Sequence, residues 1–223
     1  MNDEAIAKFG QSLRGALIGR NHPEYGEARK LYNAMIDKRP LLIARCGDVA
    51  DVIAAVNFGR DNKLPIAIRG GGHNGPGLGS VNDGLVIDLS TMRGVRVDPK
   101  NRTVRVGAGC TTGDVDHATQ TFGRAVPFGV LSTTGVAGLT LSGGHGYLSR
   151  QYGLAVDSLL EADVVLADDS FVTASETENA DLLWALRGGG GNFGVATSFL
   201  FKTHPVSWFM AGRSCSNSPR RPL

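Results

Sequence analysis

Long apolar runs are missing from this sequence. No stretch approaches 18 consecutive apolar residues, so no transmembrane helix is expected. A concentrated charge of one sign is missing too. Lys and Arg total 23 against 21 Asp and Glu, a net charge of +2, and the two signs are interspersed. That pattern lacks the basic footprint of a nucleic-acid binder. Cysteine is scarce: Cys46, Cys110 and Cys215 form an odd set with no CxxC spacing, which fits a reducing compartment better than a disulfide framework. The opening MNDEAIAKFGQSLRG has no basic segment followed by an apolar one, so a signal peptide is not expected and a cytoplasmic location is. The sequon Asn101-Arg102-Thr103 is then idle. No His/Cys/Asp/Glu set has metal-ligand spacing, so no metal is expected. There is no GxSxG elbow and no GxxxxGK[ST] P-loop.

Glycine is what the chain has in abundance. There are 31, and about half of them fall in three runs at 70–79, 135–146 and 188–194. Around them the pattern mixes helix and strand without strict alternation, an α+β arrangement. Residues 1–36 have helical character, interrupted at Asn21-His22-Pro23. LLIAR and PIAIR read as short apolar strands, and Asp48 is placed to cap a helix from Val49, with Asp51 in capping-box position. LVIDLS, GVRVD and TVRVGAG read as strands, and TTGDVDHATQTFG as a helix that Gly123 can end. LEADVVLADDSFVTAS reads as a hairpin turning at Asp168-Asp169. NADLLWALR reads as a helix, after which glycines lead into a final strand.

Two segments satisfy GxGxxG: Gly70-Gly72-Gly75 and Gly189-Gly191-Gly194. A Rossmann site needs such glycines after a strand and before a helix, because the helix N-terminus holds the pyrophosphate. The first match leads from strand to strand and the second from helix to strand, so neither has that context. Consecutive glycines offer another route. Their backbone N–H groups can converge into an anion-binding nest, and three runs with Ser, Thr and Asn between the glycines can line a groove with donors. A nucleotide held non-covalently remains open on these grounds alone.

The ordered motifs go further. IRGGGHN, LVIDLS, TVRVGAG, the stretch GVLSTTGVAGLTLSGGHGYLSRQYGLAVD, and DLLWALRGGGGNFGV together resemble the flavin domain of FAD-linked oxidases. The family is that of berberine bridge enzyme and 6-hydroxy-D-nicotine oxidase. The resemblance spans roughly residues 37–207. It implies an FAD-binding domain of the vanillyl-alcohol-oxidase (PCMH) type, built of two α+β subdomains. A helical segment at 1–36 precedes it and a non-family tail at 208–223 follows.

In that family the histidine of the R-[SG]-G-G-H motif is joined through a ring nitrogen to the flavin 8α-methyl carbon, and His73 is the matching residue. Arg69, Gly70, Gly71, Gly72, Asn74 and Gly77 resemble the loop whose amides meet the diphosphate. Thr134 through Leu139 (Gly135, Val136, Ala137 and Gly138 between them) resemble a second loop against flavin and diphosphate, continued by Ser142, Gly143 and Gly144. His145 stands in that loop and can face the isoalloxazine. Gly153, Leu154 and Val156 resemble the segment near the adenosine half, and Asn192, Phe193, Gly194 and Val195 match the entry to the last strand. Core packing is the competing role for Leu139, Leu154, Val156 and Phe193. Asp88 and Asp157 are expected to pin loops. Some members bind flavin a second time through a cysteine. Here Leu131 stands in its place, so only one covalent link is expected, and Cys110 is expected to be a buried, unreactive thiol.

The resemblance stops near Pro205-Val206, so the chain is expected to lack the family's substrate domain. The resemblance implies oxidation of a small alcohol, amine or sugar by hydride transfer to FAD, with O2 as acceptor and no nucleic-acid or membrane partner. A flavin-binding fragment without turnover is the alternative.

Overall fold

The computed structural model describes residues 3–206. The chain begins with α1 (Asp3–Ser12) and β1 (Ala16–Gly19), then α2 (Tyr25–Ala28), β2 (Leu42–Arg45), α3 (Val49–Asp61), β3 (Ile66–Arg69) and β4 (Leu85–Asp88). These strands form a sheet ordered β1-β2-β4-β3. β2, β4 and β3 run parallel, and β1 closes one edge antiparallel to β2. Parallel strands covered on both faces read as continuous apolar runs. LIAR and LVID do so: Leu42, Ala44, Leu85 and Ile87 enter the main core, while Ile43 and Val86 pack with Ile18 and Ala67 on the opposite face.

β1 lies inside the segment whose composition predicts helix. Its four residues are too few to show a period of their own, and pairing with β2 decides their state. Asp48 caps α3 as expected, accepting the Asp51 amide at 3.2 Å. The reciprocal bond of a capping box is absent. The buried Asp51 carboxylate instead accepts the amides of Arg14, Gly15 and Gly47 at 2.8, 2.9 and 2.8 Å, tying the α1–β1 turn to the start of α3.

The second half builds an antiparallel sheet. β5 (Val95–Asp98) and β6 (Thr103–Gly107) are followed by α4 (Thr112–Gln120), β7 (Arg124–Ala125), α5 (Val136–Leu141) and α6 (Ser149–Tyr152). A 3-10 turn at Ala155–Ser158 leads into β8 (Leu159–Val165) and β9 (Phe171–Ser175), then α7 (Ala180–Leu186), β10 (Val195–Lys202) and β11 (His204–Pro205). The strand order is β5-β6-β10-β8-β9. Alternation puts Val104, Val106, Ala162, Val164, Phe199 and Phe201 in the core shared with the first sheet. The other face is polar: Arg105 on β6 donates to Asp163 on β8 at 2.9 Å, and Thr173 on β9 to the same carboxylate at 2.9 Å. α5 is a second departure, because a helix forms inside a stretch whose glycines suggest only loop.

Among the described residues no helix is long and apolar enough to cross a membrane. Cys215 and the tail at 208–223 lie outside the described residues.

β11 carries His204, whose Nε2 lies 3.0 Å from the buried Ser158 Oγ and whose ring stacks on Tyr152 at 4.3 Å. Desolvation first, then Lys202 and Arg124, lower its pKa below the ordinary 6.5. The folded state therefore disfavours the charged ring. Its contribution is complete above about pH 6.5 and is lost as pH falls through the folded pKa. Thermal melts from pH 8 to 5 should show wild type losing stability below pH 6.5 relative to His204→Gln. Parallel curves would remove His204 as the cause.

Candidate functional site

The first glycine run leaves β3 at Arg69 and reaches β4 by Leu85. Arg69, 7% exposed, donates from Nη2 to Asp88, 2% exposed, at 2.7 Å, and Asp88 also accepts the Ser90 amide at 3.1 Å. This pair fixes the root of the loop, so Asp88 pins it as expected. Beyond it the amides of Gly71, Gly72, His73 and Asn74 donate to no described group. Asn74 organises the far side: its backbone carbonyl accepts the Gly77 amide at 3.0 Å and its Oδ1 accepts the Leu78 amide at 2.9 Å.

The second run crosses directly behind the first. Thr134 O accepts the Thr112 amide at 2.9 Å, and Val136 N donates to Cys110 O at 2.9 Å. These bonds hold Gly135 against Gly71. A Cβ on Gly135 would lie 2.3 Å from Gly71 N, and one on Gly71 would lie 2.4 Å from Gly135 N. Neither position has room for a side chain, so both must be glycine for the loops to touch. α5 starts at this contact, and its first-turn amides at Ala137 and Gly138 have no described acceptor, as helix starts leave them. The side chains of Val136 and Ala137 are buried, and Leu139 packs against the core, so backbone rather than side chain faces outward here.

Two further segments are tied to the second run. Ala155 N and Val156 N donate to Gly144 O and Gly143 O at 2.9 and 3.0 Å, and Asp157 pins the turn by accepting the Leu154 amide at 2.7 Å. Gly190 N of the third run donates to Leu141 O at the end of α5, at 2.9 Å. The three runs and the 153–156 turn are thus one connected surface. Val156 and Val195 point into the core, while Leu154 and Phe193 remain partly exposed. Asn192 folds back locally, donating to Gly189 O at 2.9 Å. Ser142 and His145 are exposed, and His117 lies on the exposed side of α4.

The donors suit a diphosphate. Backbone N–H groups at 71–74 and 137–138 face no internal acceptor across a contact too tight for side chains, and this is the arrangement of an anion nest. One imidazole, His73, stands in the row. Leu131 occupies the exposed 129–134 loop, where it offers no nucleophile. Cys110 is fully buried and desolvation pushes its pKa up to about 11, which removes the thiolate that reaction requires. Burial pushes the Cys46 thiol up as well. Residues 31–38, of which 31–36 fall in the segment expected to be helical, form no helix and lie along the first run instead: Tyr32 N donates to Gly72 O at 3.1 Å, and Lys38 Nζ to Gly77 O at 2.7 Å. No periodicity could have found them, because their partners are distant in sequence.

Residues 40–175 match the family described as FAD binding domain. A curated FAD-linked oxidoreductase from Dictyostelium discoideum is 39% identical over 205 residues, covering 91% of this chain and 45% of that protein. Among solved structures, 6-hydroxy-D-nicotine oxidase from Arthrobacter nicotinovorans superimposes with a TM-score of 0.85 at 35% identity, over 87% of this chain and 43% of that one. Glucooligosaccharide oxidase from Acremonium strictum, which carries a 6-S-cysteinyl, 8α-N1-histidyl FAD, gives 0.85 at 33% identity, over 91% and 43%. The chain spans less than half the length of these relatives. With the glycine cradle and its free amides, the match leads to one conclusion: this chain belongs to the FAD-binding domain family of FAD-linked oxidoreductases, in the PCMH-type fold, and its cofactor is FAD.

Proposed function

We propose that the chain holds FAD covalently through His73 and serves oxidation of a small alcohol, amine or sugar carbon, with dioxygen as final acceptor. The observation that carries this reading is the run of unpartnered amides on both sides of His73, backed by the Gly71–Gly135 contact. Bound FAD supplies the electron sink, taking a hydride from substrate carbon and releasing the electrons to dioxygen. The chain's own residues hold it. Amides of Gly71, Gly72 and Asn74, with those of Ala137 and Gly138, would offer donors to the diphosphate, and the 153–156 turn, bonded to Gly143 and Gly144, would meet the adenosine half. His73 would form the link: its neutral ring nitrogen would bond to the flavin 8α carbon, with one proton lost from that methyl group and one from the ring, and dioxygen would take up the two electrons and two protons as hydrogen peroxide.

Substrate selection and turnover are a separate matter. Because the chain covers 43–45% of the length of these relatives, we assign it the cofactor half of the site and little turnover by itself. Positioning substrate at reaction distance accounts for roughly 7–11 kcal/mol of barrier in favourable cases, and no described segment offers that enclosure. Anaerobic mixing of the FAD-loaded chain with sugars, secondary alcohols and cyclic amines should leave the oxidised flavin band at about 450 nm essentially unbleached. Rapid stoichiometric bleaching by any of them would show a complete enzyme and refute the cofactor-half assignment. Purified protein with no flavin spectrum at all, even after incubation with FAD, would refute the whole reading.

A further inference from the structure

We propose that Tyr32 is the positioning residue for flavin attachment, holding the His73 imidazole by face-to-face stacking so that both ring nitrogens stay available. The inference rests on the covalent reading above and names the group that makes His73 competent for it.

The Tyr32 and His73 ring centroids are 3.8 Å apart with planes 18° from parallel. His73 makes no side-chain hydrogen bond to any described group. Functional histidines are usually oriented by a hydrogen bond to one nitrogen, which commits the other. A stacking contact fixes the ring plane from its face and leaves the nitrogens at the edges uncommitted. A nucleophile that must lose a proton from one nitrogen while bonding through the other needs that freedom.

Tyr32 is itself held in place. Its amide donates to Gly72 O at 3.1 Å, one residue before His73. Asn33 Nδ2 donates to Gly75 O at 3.0 Å, and Lys38 Nζ bonds Gly77 O and Ser80 O at 2.7 and 2.9 Å. Ile36 packs where Gly77 turns with φ +76°, at a point where a Cβ would come within 2.7 Å of it. Residues 32–38 therefore follow the whole first loop, and the aromatic ring is the part that reaches the imidazole. Tyr32 is 63% exposed, far more than core packing alone would leave it. Removing the ring should spare the fold.

The test follows attachment in time. Flavin-free chain is mixed with FAD in air, and samples are acid-precipitated and read for bound fluorescence. Tyr32→Phe keeps the flat face and should attach within about twofold of wild type, whereas Tyr32→Leu and Tyr32→Ala should be slowed roughly fivefold or more, the scale of one aromatic pair. Fluorescence-quenching titrations with FAD, made with His73→Ala in each background, should give the same non-covalent affinity, and the melting temperatures should agree. Wild-type rates in Tyr32→Leu and Tyr32→Ala would overturn this proposal alone. So would a slowing matched by lost FAD affinity, because that would make Tyr32 a binding residue. Wild type that holds no acid-stable flavin would overturn the covalent reading and this inference with it.

Discussion

Replacing His73 by alanine is expected to remove all flavin that survives acid precipitation while leaving FAD bound reversibly. The substitution deletes the ring, but it keeps the backbone N–H groups of residues 71–74 and 137–138 that suit the diphosphate. The wild type should show fluorescent protein on a denaturing gel, and flavin on the His73 peptide alone in mass spectrometry. The Cys110 thiol cannot replace it, being buried with its pKa pushed up to about 11, and Leu131 stands where a second link would need sulfur. Stability gives an independent readout. A covalent cofactor cannot be diluted away, so the wild-type melting temperature should be indifferent to added FAD. The variant should gain stability with FAD concentration, about 2.7 kcal/mol at a hundred times the dissociation constant. Complete release of flavin from wild type on acidification would end the covalent assignment. Flavin on the Cys110 peptide would show that the loop assignments are displaced.

Asp88→Ala is expected to destabilise the protein by about 3–5 kcal/mol, the usual effect of leaving one member of a buried ion pair alone. Asp88 is 2% exposed and meets Arg69 at 2.7 Å, with Arg45 a further 3.7 Å contact. Arg69 Nη1 is already buried without a partner, so the guanidinium has no alternative acceptor once the carboxylate is gone. The Ser90 amide loses its acceptor as well. At roughly 2–4 °C per kcal/mol for a chain of this size, the melting temperature should fall by about 6–20 °C. FAD loading should fall with it, because Arg69 is the root of the loop that carries His73. Replacing both partners, Arg69→Met with Asp88→Leu, should recover most of the lost stability, since a buried pair can often be exchanged for apolar packing at little cost. A loss of less than about 1 kcal/mol in Asp88→Ala, the scale of an exposed pair, would mean that the pair is effectively solvated.

Much of this molecule is written in local pattern. LLIAR, PIAIR, LVIDLS and TVRVGAG read as strands and LEADVVLADDSFVTAS as a hairpin, as the fold has them. The wrong context of both GxGxxG matches excludes a Rossmann site, and the ordered glycine motifs identify the flavin family. Leu131 in place of cysteine is readable without any coordinates. Each of these signals lies within a few residues, where side-chain period and backbone freedom are set by the neighbours.

Other features depend on partners far along the chain. Ala16–Gly19 is strand only because β2 lies beside it. Asp51 leaves its capping box because three amides from two other turns converge on its carboxylate. Gly71 and Gly135 look like two among many glycines until the fold presses them together. Tyr32 reaches His73 only because residues 32–38 are tied along the first loop. The sequence by itself determined which backbone could be bare and which ring could react. The tertiary structure alone decided what that backbone lies against and what holds that ring, because those contacts join positions with no local period between them.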